Sequence, residues 1–385
     1  MIDLQITNIE LYKVPPRWLF LKITTNSGII GWGEPVVEGK ADTVEACVKE
    51  LKQYIIGKDA SNIEDIWQIL YRGGFYRGGP ILMSAISGID QALWDIKGKS
   101  LEVPVHQLLG GPVRHKMKMY CWIGGDNPEV VLEQAHEKVN AGFKAVKMNA
   151  TGALEWVASI KDVKKVANNI KLLREEFGYD LDIGLDFHGR VHKPMVKRLI
   201  DELQPHEPMF IEEPVLPENN DTLRHIYQYT SIPIATGERM FSRWDFKDIL
   251  HSGVTDIIQP DLSHAGGISE VRRIAAMAEA YDITLAPHCP LGPVALASCL
   301  HVDFVSANAV IQESSIGIHY NEGYDILDYM SNPEIFELKD GYIELLTKPG
   351  LGVEIDEDKL KEAAKIGHNW ANPIWRHEDG NFAEW

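Results

Sequence analysis

Six chemically usable side chains recur at near-even steps along the second half of the chain. Asp186, Glu212, Glu238, Asp261, His288 and Glu313 follow one another at intervals of 23 to 27 residues. Each ends or closely follows a short apolar run, such as Met209-Phe210-Ile211 before Glu212 or Ile257-Ile258 before Asp261. The first three are carboxylates. Held close together they would repel and resist joint ionisation unless a cation lay between them. An all-oxygen donor set without cysteine favours Mg²⁺, with Mn²⁺ as a substitute, over zinc. A single acid after a strand often only caps the next helix. Three in succession at matched spacing point to a shared task, one metal ion in one site.

His288 stands between prolines in Ala286-Pro287-His288-Cys289-Pro290. Asp261, one repeat earlier, could hold one imidazole nitrogen and raise the basicity of the other. Cys289 is a poor candidate for a nucleophile, because adjacent strand residues point to opposite faces. His188, two residues after Asp186, is expected on that residue's face. It could ligate the metal, cap a helix or donate a proton. Glu313, if protonated, could donate a hydrogen bond to a developing oxyanion. A metal beside a histidine base suits removal of a weakly acidic proton next to a carboxylate.

The interval of about 25 residues accommodates one strand, one helix and two loops. Strands are expected at 117–122, 145–148 and 181–186, then before Glu212, Glu238, Asp261, His288 and Glu313. Helices are expected between them, over 128–140, 158–177, 193–203 and 269–281 among others. Eight such steps in roughly 200 residues, each ending in a functional side chain, describe a (β/α)8 barrel whose site lies at the C-terminal strand ends. Upstream, 6–12, 19–25 and 29–32 read as strands, with Asn26-Ser27-Gly28 as a hairpin turn. Residues 43–55 and 61–99 read as helices, interrupted by the glycine-rich repeat Tyr71–Pro80. Leu109-Gly110-Gly111-Pro112 marks a boundary. The expected organisation is an α+β capping domain over 1–112, the barrel over 113–330, and a segment 331–385 that returns to the cap. Within that last segment, 341–345 and 348–352 read as hairpin-like.

The 385 residues are 45% hydrophobic, enough for a large core. With 38 basic and 56 acidic residues the net charge is −18, which disfavours nucleic acid and anionic membranes as partners. Four cysteines without CxxC spacing suit reduced thiols and a cytoplasmic location. The first residues lack the pattern of a signal peptide. No uncharged run approaches the ~18 residues of a membrane span.

Longer stretches carry a resemblance. They are Pro15-Pro-Arg-Trp18, Gly31-Trp-Gly-Glu34, Phe75-Tyr-Arg-Gly-Gly-Pro-Ile-Leu-Met-Ser84, Gly184-Leu-Asp-Phe-His-Gly-Arg190 and Phe210-Ile-Glu-Glu-Pro214. Further along are Gly237-Glu-Arg-Met-Phe-Ser242, Gln259-Pro-Asp-Leu-Ser-His-Ala-Gly-Gly267 and Ala286-Pro-His-Cys-Pro-Leu-Gly-Pro293. Through them the chain resembles the mandelate racemase subgroup of the enolase superfamily over nearly its whole length. The resemblance implies Mg²⁺-dependent dehydration of an acid sugar, D-galactonate in the first place, by a homo-oligomer, with an octamer as one assembly. It implies Asp186, Glu212 and Glu238 as metal ligands, His288 as base supported by Asp261, His188 as acid and Glu313 as oxyanion stabiliser. Many relatives carry Lys-x-Lys at the second strand, with the second lysine as a base. Here Lys147-Met148-Asn149 leaves Lys147 for the substrate carboxylate, while Asn149 cannot accept a proton, which disfavours two-base racemisation. Arg17, Trp18, Tyr76 and Arg77 are candidates for reading distal hydroxyls. Other readings are another sugar acid such as gluconate or galactarate, an epimerase, or a non-catalytic binding barrel.

Overall fold

The computed structural model describes residues 3–124 and 130–385. An antiparallel sheet opens the chain, with β1 (Ile6–Val14), β2 (Trp18–Thr25) and β3 (Ile30–Gly33) in sequence order. Helices α1 (Ala41–Ile55), α2 (Ile63–Arg72) and α3 (Pro80–Ser100) and the short α4 (Val105–Leu108) follow. A side chain at Gly33 would overlap the carbonyl oxygen of Gly88. Glycine there lets β3 lie directly on the α3 backbone. Asp95 and Gln91 of α3 then accept the β3-side amides of Trp32 and Glu34 at 3.0 and 2.8 Å.

Eight parallel strands follow: β4 (Lys116–Ile123), β5 (Ala145–Asn149), β6 (Asp182–Asp186), β7 (Phe210–Glu212), β8 (Ile234–Thr236), β9 (Ile257–Ile258), β10 (Thr284–Leu285) and β11 (Gln312–Ser314). Each pairs with the next from β4 to β10, and β11 pairs with β4. Leu285 bridges to Ala309, just ahead of β11, so the sheet closes on itself. The intervening helices are α5 (Val131–Asn140), α6 (Ile160–Phe177), α7 (Lys193–Leu203), α8 (Leu223–Tyr227), α9 (Arg243–Ser252), α10 (Gly267–Glu279) and α11 (Pro293–Val305). The first residues of the helix expected at 128–140 lie outside the described residues. No helix among the described residues is long and apolar enough to cross a membrane.

One ring of interior side chains plugs the barrel. Tyr120, Ala145, Phe210, Ala235, Ile257, Ala286 and Ile311 form a separate buried cluster. With Gly184 on β6, bulky and small residues share the layer, which is how eight short strands fill a narrow interior. A Cβ at Gly184 would lie 2.6 Å from the Phe210 ring. Polar groups above this floor therefore face the mouth.

In the last part the hairpin-like reading holds only locally, where Lys339 and Tyr342 form an antiparallel bridge across a tight turn. β12 (Tyr342–Glu344) pairs antiparallel with the start of β4, and Gly350 hydrogen-bonds to Val103 and Val105. Both segments find partners far away in sequence, which turn chemistry alone does not reveal. α12 (Glu357–Ile366) packs on β1, with Glu357 paired to Lys22 at 2.7 Å. The tail's hairpin is β13 (Trp375–Arg376) with β14 (Phe382–Ala383).

Gly184→Ala should lower stability by about 1–3 kcal/mol through overpacking. Phe210→Leu in the same chain should recover part of it, and denaturant unfolding of the single and double variants measures the coupling. Additive losses would show that the two residues do not share the layer.

Candidate active site

Strand register sets the first row of the site. Asn149 pairs with Asp186 and Asp186 with Glu212, so three neighbouring strands end level. Glu238, Asp261 and His288 each stand beyond their strands, in the loops after β8, β9 and β10. Oxygens of Asp186, Glu212 and Glu238 come within 4.8 Å of one another. Burial, with Glu212 beside it, pushes the Asp186 carboxyl well above the usual carboxylate range. Burial and the Glu213 and Glu212 carboxylates push Glu238 up to about 8. Oδ2 of Asp186 has no hydrogen-bond partner among the described residues. A buried, acceptor-only cluster with an orphaned oxygen fits a hard divalent cation.

Lys147, expected to meet the substrate carboxylate, is instead fully buried behind this row and is not among the residues lining the cavity. Its Nζ reaches both Glu212 oxygens at 3.0 and 2.8 Å and Glu313 at 3.0 Å. Burial opposes its charge, but Glu212 and Glu313 hold its pKa well above the usual lysine value. Glu313 is fully buried beside Lys147. It accepts the Cys289 amide at 2.8 Å. Burial would raise its pKa, but Lys147 and His288 hold it below the ordinary value.

The two histidines line one cavity of about 300 Å³ at the barrel mouth, with Asn149, Glu238, Arg17 and Trp385 among its walls. Their strands, β6 and β10, are four apart in the ring of eight. His288 Nδ1 lies 2.9 Å from Asp261 Oδ2, and its Nε2 lies 3.2 Å from Glu238 Oε2. Burial would lower the His288 pKa, but Glu238, Glu313 and Asp261 hold it well above the usual value. His188 reaches the cavity by a route other than strand alternation. Its φ is +51°, and its amide donates to Asp186 Oδ1 at 2.6 Å. The turn after β6 aims the ring, since the strand has already ended at Asp186.

The cap candidates divide. Arg17 lines the cavity, donating to Pro290 O at 2.6 Å and to Glu38 at 3.2 Å. Trp18 is fully buried against Tyr329 and does not line the cavity. Tyr76 is 89% exposed and Arg77 is also exposed; neither lines the cavity, although Pro80 at the end of their glycine-rich stretch does. Sequence reasoning missed Glu38, His264, Arg239, Trp122 and Trp385, all of which line the cavity. His264 bridges Glu38 at 3.4 Å and Asp261 at 3.7 Å. Arg239 is held by the Glu213 carboxylate. Asp261, His264 and His288 also bring ligand atoms within 4.8 Å, but as a mixed nitrogen–oxygen set.

Barrel, cap and carboxylate row together define a class, and comparison with known proteins assigns the family. Residues 130–359 match the enolase C-terminal domain-like family, and residues 15–110 match the N-terminal domain of mandelate racemase / muconate lactonizing enzyme. The chain belongs to the mandelate racemase / muconate lactonizing enzyme family of the enolase superfamily. An enolase from Agrobacterium radiobacter, provisionally described as a galactarate dehydratase and solved with sodium and L-malate, is 32% identical; the match covers 99% of this chain and 100% of that one, with a TM-score of 0.88. A provisionally described dehydratase from Mesorhizobium loti is 29% identical over 94% of this chain and 98% of its own, with a TM-score of 0.86. A mandelate racemase/muconate lactonizing enzyme from a Sulfitobacter species is 28% identical over 96% and 97%, also with a TM-score of 0.86.

Glu238→Gln should weaken Mn²⁺ binding, followed by calorimetry, by more than the roughly 10–100-fold typical of losing a supporting partner. Asp261→Asn should leave it unchanged. A large loss in Asp261→Asn would place the cation in the Asp261–His264–His288 cluster instead.

Proposed function

We propose that the protein dehydrates an acid sugar, D-galactonate, to 2-dehydro-3-deoxy-D-galactonate. The observation that carries this reading is two imidazoles, His188 and His288, on opposite sides of one cavity beside a carboxylate row. Asp186, Glu212 and Glu238 would hold Mg²⁺, which supplies positive charge for the substrate carboxylate as it becomes an enediolate. The protein groups do the rest. Asp261 fixes the His288 ring through Nδ1 and leaves Nε2 to take the C2 proton. The C2–H electrons pass into the carboxylate. They return to form the C2–C3 double bond as the C3–O bond breaks, with His188 protonating the departing hydroxyl. The resulting enol becomes the 2-keto acid. Lys147 holds the Glu212 carboxylate in place, and Glu313 tethers Lys147 to the loop that carries His288.

The choice of a monoacid rests on Arg17. A dicarboxylate such as galactarate needs a cation for its second carboxylate. Arg17 already faces Glu38. Burial would raise the Glu38 pKa, but His264 and Arg17 hold it well below the usual carboxylate range, so it competes as an anion. Arg239 is likewise committed to Glu213. A neutral terminal hydroxyl suits this end of the cavity better. A panel of acid sugars assayed for 2-keto-3-deoxy products should show D-galactonate ahead of gluconate and galactarate. In Glu38→Gln the preference should move toward galactarate. Galactarate as the best wild-type substrate would overturn the choice.

The histidines can be separated. His188→Gln retains His288, Asp261 and Lys147, so in D₂O it should exchange the C2 hydrogen while forming little keto acid. His288→Gln should lose both activities. Rapid dehydration by His188→Gln would remove His188 from the chemistry.

A further inference from the structure

We infer that Trp385 is a positioning residue for His188, and that the strap from Trp370 to Trp385 exists to hold the hydroxyl-loss side of the site in register. This rests on the dehydratase reading given above. His188 sits in a turn with positive φ, beyond the support of the barrel ladder. Its ring is braced from two directions. The Trp385 ring lies 5.8 Å away with the planes at 86°, and the Trp122 ring lies 6.5 Å away at 87°. Both are edge-to-face geometries, which fix ring orientation as well as position. Trp122 belongs to the barrel wall. Trp385 comes from the opposite end of the sequence.

The strap is fastened to the loops that it covers. Trp375 on β13 packs beneath the guanidinium of Arg190, 4.6 Å from ring centroid to Cζ. Arg190 stands two residues after His188 and is itself anchored to Thr151 O at 2.9 Å. His377, in the hairpin turn, lies 3.2 Å from Glu155 in the loop after β5. The strap's other end reaches the cap. Trp370 stands 6.2 Å from Trp385, and Tyr320 lies 5.9 and 6.1 Å from these two rings. Arg17 lies over both Tyr320 and Trp370, at 5.2 and 5.6 Å. An aromatic cluster thus runs from the cap's cavity-lining arginine to the proton donor, while His288 has its own bracing from Asp261. Trp385 itself meets only the His188 ring of the two imidazoles, and the strap reaches the His288 side only at one remove, through Arg17.

Three measurements on Trp385→Ala and Trp385→Phe test this. Amide hydrogen exchange at residues 187–190, without substrate, should quicken in Trp385→Ala. Dehydration should fall about 100-fold, the penalty of a roughly 1 Å misplacement, while exchange of the C2 hydrogen in D₂O stays near wild type. Trp385→Phe should recover most of the dehydration rate. Unchanged amide exchange at 187–190, unchanged dehydration, or parallel loss of C2 exchange and dehydration would each overturn the inference. Should the wild type dehydrate no acid sugar, the proposed function falls, and the amide-exchange result alone still decides whether Trp385 braces this turn.

Discussion

Asp186, Glu212 and Glu238 are buried with oxygens inside 4.8 Å, and the rest of the molecule is arranged around that repulsion. Bringing several carboxylates out of water is costly unless positive charge accompanies them. The chain supplies one such charge permanently. Lys147 spans Glu212 and Glu313, and Gln259 donates to the same Glu212 oxygen at 2.7 Å. Glu212 is therefore neutralised from behind. Asp186 and Glu238, on either side of it, have their pKa values raised, so the uncompensated demand for a cation faces the cavity. The lysine sets the direction from which a metal would be bound.

The barrel tolerates this because its floor is apolar and full. Tyr120, Phe210, Ile257 and Ile311 occupy the interior beneath the polar row. Gly184 makes room for the Phe210 ring, two pairs before the Asp186–Glu212 pair that ends this register. Register does the positioning here. A one-residue slip would turn the carboxylates outward. The loop residues Glu238, Asp261 and His288 lack that guarantee and are held by contacts with each other and with the cap.

Most of the barrel was legible because its signals are local: a short apolar run, a chemical residue, then a helical pattern. Asp186, Glu212, Glu238, Asp261 and His288 could be read from that rhythm. His188 does line the cavity, but a turn rather than strand alternation aims its ring. Trp18 and Tyr76 resemble ligand-reading residues in type, yet one is buried under Tyr329 and the other stands in the open. Glu38, His264 and Trp385 were illegible because nothing periodic marks them. Each matters through a partner more than a hundred residues away, which is information that the tertiary fold creates.

Those distant partners form a closed circuit. Arg17 holds Glu38 and the Pro290 carbonyl; Glu38 meets His264; His264 and His288 share Asp261 Oδ2; and Pro290 lies two residues beyond His288. His264 gains positive character because Asp261 and Glu38 outweigh its burial. Asp261 is thus bounded on both sides by imidazoles, with its other oxygen taken by the Ser263 amide at 2.6 Å. A carboxylate so enclosed has little freedom to turn away from His288. The cap consequently does more than cover the mouth. Through Arg17 and Glu38 it closes the ring that orients the proposed base, and through Arg17, Tyr320 and Trp370 it reaches the aromatic side of His188. Removing the cap's grip at Arg17 would loosen both imidazoles at once, which explains why this arginine is buried among polar contacts instead of being left free to meet a ligand.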